Sequence, residues 1–396
     1  MVPLIGMRVN RIRAWGTRVI VEAFLRWAET AKAGDRARAA SALGRAYLQS
    51  EMAAEERAAA EMAMTFLLDD PSPKVRLALA EAISWSPEAP RAVILSLAAD
   101  QPEIACHAVT CSPLLSDADL VDLAASGSDI TRMLIAARGT ISRPVSAALA
   151  EISEEEAVLC LLENGGAAIA SYSLKRIAER LGHRCEIRNL LLERGDLAAD
   201  ARQLLTQHVS AALVGLPLAL ATIDPGRLHR ISREANETAI VSIAGEITPR
   251  EISDLVEHLR VSGHLTPSCL IHALCSGKVE FFAGAIVNLT GCEERRVRSI
   301  LATGRMHAVR ALYETAGLSR EISTIFVEAT LLWRDASKDL AATMLGDVCG
   351  KLLEKFRGHA THGAVQELLE MIERLHIAEQ RQHARAYAQL TSLAAA

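Results

Sequence analysis

The stretch Asp69-Asp70-Pro71-Ser72-Pro73-Lys74-Val75-Arg76, continued by Leu79-Ala80-Glu81-Ala82, decides how this chain is read. Leu67 and Leu68 close an apolar-periodic run just before it. Two prolines within three residues stop a helix, and Ser72 with Pro73 can begin the next one as N-cap and first helical residue. Val75, Leu77, Ala78, Leu79, Ala82 and Ile83 then recur at helical rather than strand spacing. The segment reads as helix, tight turn, helix.

The same leucine anchor recurs along the chain. Leu67-Leu68-Asp69-Asp70, Leu97-Ala98-Ala99-Asp100, Leu123-Ala124-Ala125-Ser126, Leu161-Leu162-Glu163-Asn164 and Leu191-Leu192-Glu193-Arg194 start 30, 26, 38 and 30 residues apart. A second apolar-periodic stretch follows each. Neither helix of such a pair can bury its apolar face alone, so successive pairs must stack, and the many small alanines permit close approach. Ser153 with Glu156, and Thr248-Pro249 with Glu251, have the spacing of capping boxes. The spacing predicts a first helix over 19–33.

The pattern changes near residue 212. Pro217, Asp224-Pro225-Gly226 and the polar stretch 232–238 mark a junction, dividing the chain into a helical repeat region, 1–212, and a C-terminal all-helical region, 213–396. In the second region Ser262-Gly263, Thr290-Gly291 and Ala316-Gly317 can each close a helix in the left-handed conformation, and Thr266-Pro267 can open one. Further helices are expected over 322–332, 340–356 and 365–387. No period-two alternation of useful length occurs, so no strand is expected and the fold class is all-α.

Composition narrows the function. The chain has 396 residues, 50% hydrophobic and only 4% aromatic, too apolar to stay disordered. Forty-three basic against 48 acidic residues give a net charge of −5, and Trp15, Trp27, Trp85 and Trp333 are scattered, so nucleic acid is not the expected partner. Cys106, Cys111, Cys160, Cys185, Cys269, Cys275, Cys292 and Cys349 form no CxxC pair and read as reduced thiols of a cytoplasmic protein. Arg8, Arg11, Arg13 and Arg18 precede the first acid, Glu22, without the uninterrupted apolar run of a signal peptide; they read as a lead-in to the first helix, with a membrane-surface role as the lesser alternative. Residues 204–223 carry no formal charge and match a bilayer in length. Pro217 breaks them and Asp224-Pro225-Gly226 closes them, so they read as a buried helix end with an apolar linker. No transmembrane segment is expected.

The Asp-Pro turn followed by Val75-Arg76 resembles the HEAT-type repeat signature, in which the Val-Arg pair supplies an apolar knob and an inter-repeat polar contact. Arg132 stands at the same offset from its anchor as Arg76, whereas Cys106, Ala170 and Asp200 stand there in the other repeats. The chain also resembles the alphaproteobacterial family labelled domain of unknown function 2336. That resemblance rests on residues 67–81, on Ser262-Gly263-His264-Leu265-Thr266-Pro267-Ser268, on Ala273-Leu274-Cys275-Ser276-Gly277 with Phe281-Phe282, and on Arg310-Ala311-Leu312-Tyr313 with Ala316-Gly317-Leu318. It covers roughly 40–320 and carries no assigned activity. It implies a bacterial cytosolic protein with a HEAT-like α-solenoid of stacked antiparallel helix pairs, followed by a C-terminal helical region.

A search for chemistry finds little. Cys106-His107 with Cys111 lacks a second ligand cluster for zinc. His258, His264 and His272 fall on different sides of the Gly263 turn, and His359 with His362 has no nearby acid. Some HEAT-like proteins are iron-dependent hydroxylases built on His-Glu dipeptides; this chain has none. No GxxxxGK[ST], GxGxxG or GxSxG motif occurs. Glu154-Glu155-Glu156 suits a helix N-terminus. No catalytic residue, metal or cofactor is therefore expected. The expectation is a non-catalytic scaffold or adaptor whose concave face, lined by the second helix of each pair, binds a protein or peptide. Arg76, Arg132, Lys175 and Arg176 are the candidates on that face, with inter-repeat pairing as their structural alternative. The alternative function is a small-ligand sensor or enzyme, with a pocket at the junction of the halves around 209–236 where His208, His229 and Glu234 would converge.

Overall fold

A computed structural model describes residues 23–24, 26–338, 348–358 and 363–394. The described residues are all-α: they contain no strand, only an isolated parallel bridge between Ile141 and Ala167. The basic arm with Arg8 to Arg18 lies outside the described residues, as does most of the expected first helix; residues 26–30 of that stretch are helical. The chain divides into two compact units, one ending at Asp196 and one beginning at Leu197. The sequence pattern changes later, at 212. The helix that spans this difference, Ala199–Val214, packs on Pro225–Ala244 and is therefore part of the second unit.

Unit one contains α1 (Ala33–Gln49), α2 (Ala54–Leu68), α3 (Pro73–Ile83), α4 (Arg91–Ala98), α5 (Pro102–Cys111), α6 (Asp117–Ser126), α7 (Asp129–Ala136), α8 (Arg143–Ile152), α9 (Glu155–Glu163), α10 (Ser171–Leu181) and α11 (Cys185–Glu193). Helices pack on the helix two further along the chain. The odd-numbered ones form one continuous row from α1 to α11, and α2 with α4, then α6 with α8 and α10, form a second. Val75, Leu79 and Ile83, four residues apart on α3, are fully buried, each such side chain contributing about 2 kcal/mol. Gly44 allows α1 to lie close against α3: a Cβ there would stand 2.8 Å from Ile83 Cγ2. The 38-residue interval between anchors is explained by α8, an extra helix without a partner in the two-helix count.

The local signals hold in part. Pro73 is the first residue of α3, but Ser72 makes no side-chain cap; Asp70 accepts the Ser72 N–H instead, at 2.9 Å. Ser153 and Glu156 form no capping box. Ser153 is buried at the end of α8, and α9 is entered through Glu154.

Unit two contains α12 (Ala199–Val214), α13 (Pro217–Thr222), α14 (Pro225–Ala244), α15 (Pro249–Val261), α16 (Pro267–Cys275), α17 (Val279–Thr290), α18 (Glu294–Thr303), α19 (Met306–Thr315), α20 (Arg320–Lys338), α21 (Val348–Phe356) and α22 (Ala364–Ala394). Gly263, Gly291 and Gly317 are left-handed, with φ of 74°, 64° and 90°, as their positions after helix ends predicted. Glu251 accepts from Thr248 N–H and Oγ1, and Thr266 Oγ1 accepts from Cys269 N–H, as expected of these starts. The unit is built around α16, which packs on α14, α17, α20 and α22 and is buried from Cys269 to Cys275. Beside it Phe282, Tyr313 and Phe326 pack with ring centroids 5.7–6.0 Å apart. Thr330 donates to the Phe326 carbonyl, which leaves its oxygen to accept the Tyr313 hydroxyl. The charge-free run 204–223 is a helix end and an apolar connector, as expected, but its last helical residues are not buried. Leu205 and Ser210 are buried, but every residue from 211 to 227 is at least partly exposed.

Candidate functional site

The arginines that the repeat pattern singled out have their charges engaged within the chain. Arg76 makes a two-pronged contact with Asp100 at 2.6 and 3.0 Å and donates to the Asp70 carbonyl. Arg132 donates to the Ala124 carbonyl and pairs with Asp129. Arg176 grips Glu151 at 2.6 and 2.8 Å. Lys175, half-buried beside it, is likewise engaged. The four do not share one row: Arg76 and Arg132 stand on α3 and α7, whereas Lys175 and Arg176 stand on α10. The extra helix α8 exchanges the rows between the third and fourth anchors.

Other arginines complete the same pattern. Arg36 holds Asp70 at 2.6 and 2.8 Å, and Arg91 reaches Asp119 and the Leu114 carbonyl. Arg138 donates to the carbonyls of Val109 and Ser112, and Arg180 to those of Ala150 and Ser153, so each closes the open end of an earlier helix. Asp70 is the most enclosed carboxylate of this system. The Arg36 guanidinium holds it below the usual carboxylate range, against the opposing effect of burial. Sequence reasoning missed most of these residues because each partner lies 23–34 positions away, about one hairpin, where local spacing gives no signal.

A concavity lies wholly in unit two. It has a volume of about 430 Å³ and is enclosed by α14, the start of α16 and the first half of α22. Arg230, Arg233, Glu234 and Glu237 occupy one face of α14, at positions i, i+3, i+4 and i+7. Glu237, 6% exposed, is the buried member. Burial pushes its carboxyl up, opposed by the charge of Arg233 and by the hydroxyl of Thr266, which donates to it at 3.4 Å. Glu234 pairs with Arg374 of α22 at 3.1 Å, and Ser268 donates to Met371 Sδ. Of the three residues expected to converge in a pocket around 209–236, only Glu234 lines this cavity; His208 on α12 and His229 on α14 do not.

Two groups beside the cavity on α16 are held in their neutral forms. Cys269 is the nearby thiol, and burial, followed by the Glu237 charge, pushes it up to about 12, far from a reactive thiolate. His272 on the same helix is driven down to about 4 by burial, so it is neutral at ordinary pH. Among the described residues no group of three or more His, Cys, Asp or Glu side chains is arranged to hold a metal ion. What the cavity offers is three guanidinium groups, four carboxylates and the positive end of α16.

No curated protein and no solved structure matches the chain. A family model does, over residues 104–366, well over half of the chain and covering the helices that form the cavity up to Gln366. The chain therefore belongs to the bacterial family described as uncharacterised protein conserved in bacteria, DUF2336.

Proposed function

We propose that this protein is a non-catalytic scaffold or adaptor, whose HEAT-like stack of helices in unit one presents a surface to a protein or peptide partner. The eight free thiols fit a reducing, cytoplasmic setting. The observation that carries the reading is the contrast between the paired charges of the hairpin-locking arginines and the large side chains left in water. Arg36, Arg76, Arg132, Arg138, Arg176 and Arg180 are engaged internally, yet Trp85 is 71% exposed and Tyr172 64%. Met62 and Phe66, one turn apart on α2, are exposed as well. Tryptophan and tyrosine are the residue types that dominate binding energy in interfaces, and nothing in folding alone calls for leaving them in water.

The test is site-specific photo-crosslinking in the native bacterium, with the photoreactive residue at Trp85, at Phe66 and, as a control, at exposed Glu193. The expected result is one protein captured from the first two positions and not from the third, with capture at position 66 lost on Trp85→Ala. Equal recovery from all three, or none from any, overturns the reading.

The cavity supports a second reading, a small-ligand sensor. Its carrying observation is Glu237, a carboxylate buried at the floor of an open, arginine-rimmed concavity. A ligand there would raise the thermal midpoint of the wild type and leave the Glu237→Gln, Arg374→Ala double variant unmoved. A screen of anionic and zwitterionic metabolites that shifts neither protein removes the reading.

A further inference from the structure

The end of the α12–α14 hairpin departs from the packing rules obeyed elsewhere. Between Ser210 and Leu228, both buried, no residue is buried. The short helix α13 buries no residue and packs on the two helices it connects. The side chains at this tip are nevertheless apolar: Leu213 at the end of α12 is 56% exposed, Leu216 just before α13 48%, and Leu218 and Leu220 on α13 75% and 53%. Polar residues would serve a connector better, and exposed apolar clusters of this kind mark contact surfaces. The thirteen residues 211–223 carry no charge. Immediately beyond them Arg227, Arg230 and Arg233 lie three residues apart along α14, and none makes a salt bridge among the described residues. Asp224, which accepts the Arg227 N–H as N-cap, is the single acid from 211 to 233. In a chain of net charge −5, this segment is locally cationic by two charges.

We propose that the tip of the α12–α14 hairpin docks on an anionic lipid bilayer, its leucines entering the interface and Arg227, Arg230 and Arg233 meeting the phosphate headgroups. The contact is interfacial, since among the described residues no helix is long and apolar enough to cross a membrane. A second copy of the chain is a poorer occupant. A six-residue helix offers much less than the area a stable dimer buries, and a two-fold contact would set like-charged arginines against each other. Arg227 stands clear of the neighbouring acids, whereas Arg230 and Arg233 also border the concavity lined by Glu237, Glu367 and Glu370; of its carboxylates Glu234 pairs with Arg374 and Glu237 is buried. This inference is independent of the partner-binding reading of unit one.

The test is co-sedimentation of the full chain with vesicles of phosphatidylcholine alone and of phosphatidylcholine mixed with phosphatidylglycerol, at low and high salt. Binding is expected to the anionic vesicles only and to weaken with salt. The Leu218→Asp, Leu220→Asp variant and the Arg227→Glu, Arg230→Glu variant should each bind about tenfold or more weakly, with unchanged circular dichroism and thermal midpoint, because all four side chains are exposed. Absence of vesicle binding overturns the proposal. So does binding that survives both variants but disappears on removal of residues 1–18, which would place the contact on the basic arm. Concentration-dependent dimerisation abolished by the leucine variant, without vesicle binding, overturns it in favour of a second copy.

Discussion

No helix of unit one is buried along its whole length, whereas α16 of unit two is buried from Cys269 to Cys275 and packed on four others. The first arrangement is a stack: each helix leans on the one two places on, and arginines lock one hairpin to the next. The second is a core: α16, with the ring cluster of Phe282, Tyr313 and Phe326 beside it, holds the unit together, and polar contacts sit at its edge. The difference teaches where each unit is vulnerable. A stack spreads its stability over many small interfaces, so damage stays near its origin. A core concentrates stability, so one truncation is felt across the unit.

The sharpest break of this comparison is Phe282→Ala. It empties space at the centre of the ring cluster and should cost about 4 kcal/mol. Hydrogen exchange read by mass spectrometry should then rise in peptides throughout 267–330, and a change confined to α17 would show that unit two is not a cooperative core. Acid titration comes next. His272 titrates at about 4 in the fold against 6.5 when unfolded, so between those values the unfolded chain binds more protons. Stability of unit two should therefore fall as pH drops from about 6.5 to about 4, by about 3 kcal/mol in all. Urea midpoints at pH 7 and pH 5 check this, and His272→Leu should remove most of the dependence.

Unit one should resist the same titration for longer. Asp70 is held below the usual carboxylate range, so its contribution is complete above that range and is lost only as pH falls through the lowered value. Asp70→Ala removes the Arg36 clamp and the Ser72 turn together and should cost about 2 kcal/mol. Hydrogen exchange should rise in α1 to α4 and stay unchanged beyond α7. Spread of the effect through the whole unit would contradict the picture of separable interfaces. The smallest effect is expected from Arg176→Ala. Its pairs with Glu151 and Glu179 lie in water, and the urea midpoint should not move measurably.

The helical hairpins were legible because their signals are local. Pro73, Thr266-Pro267, the Thr248–Glu251 box and three left-handed glycines act within four residues of where they stand. Ser153 with Glu156 had the same appearance and failed, since the buried end of α8 occupied Ser153 first. The cavity was half legible. Glu234 was read from its place near the junction, but Glu237 and Arg374 were not, because α22 meets α14 from nearly 140 residues away. The run 204–223 reads as a buried helix end with an apolar linker, and from residue 211 on it is exposed. Apolarity shows that a segment gains by leaving water, not that this chain supplies what covers it.

By itself, then, the order of residues determined which segments are helices, where most of them stop, that no strand forms among the described residues, and that this chain shares a bacterial family. Those properties arise from backbone dihedrals, caps and periodic apolar faces, all of which act over a few residues. Only the tertiary structure decided which arginine meets which carboxylate, that α8 exchanges the two rows, that α16 is the buried centre, and that four leucines at a hairpin tip remain in water. These depend on which surfaces are left once every helix has packed, and that is settled by the fold as a whole.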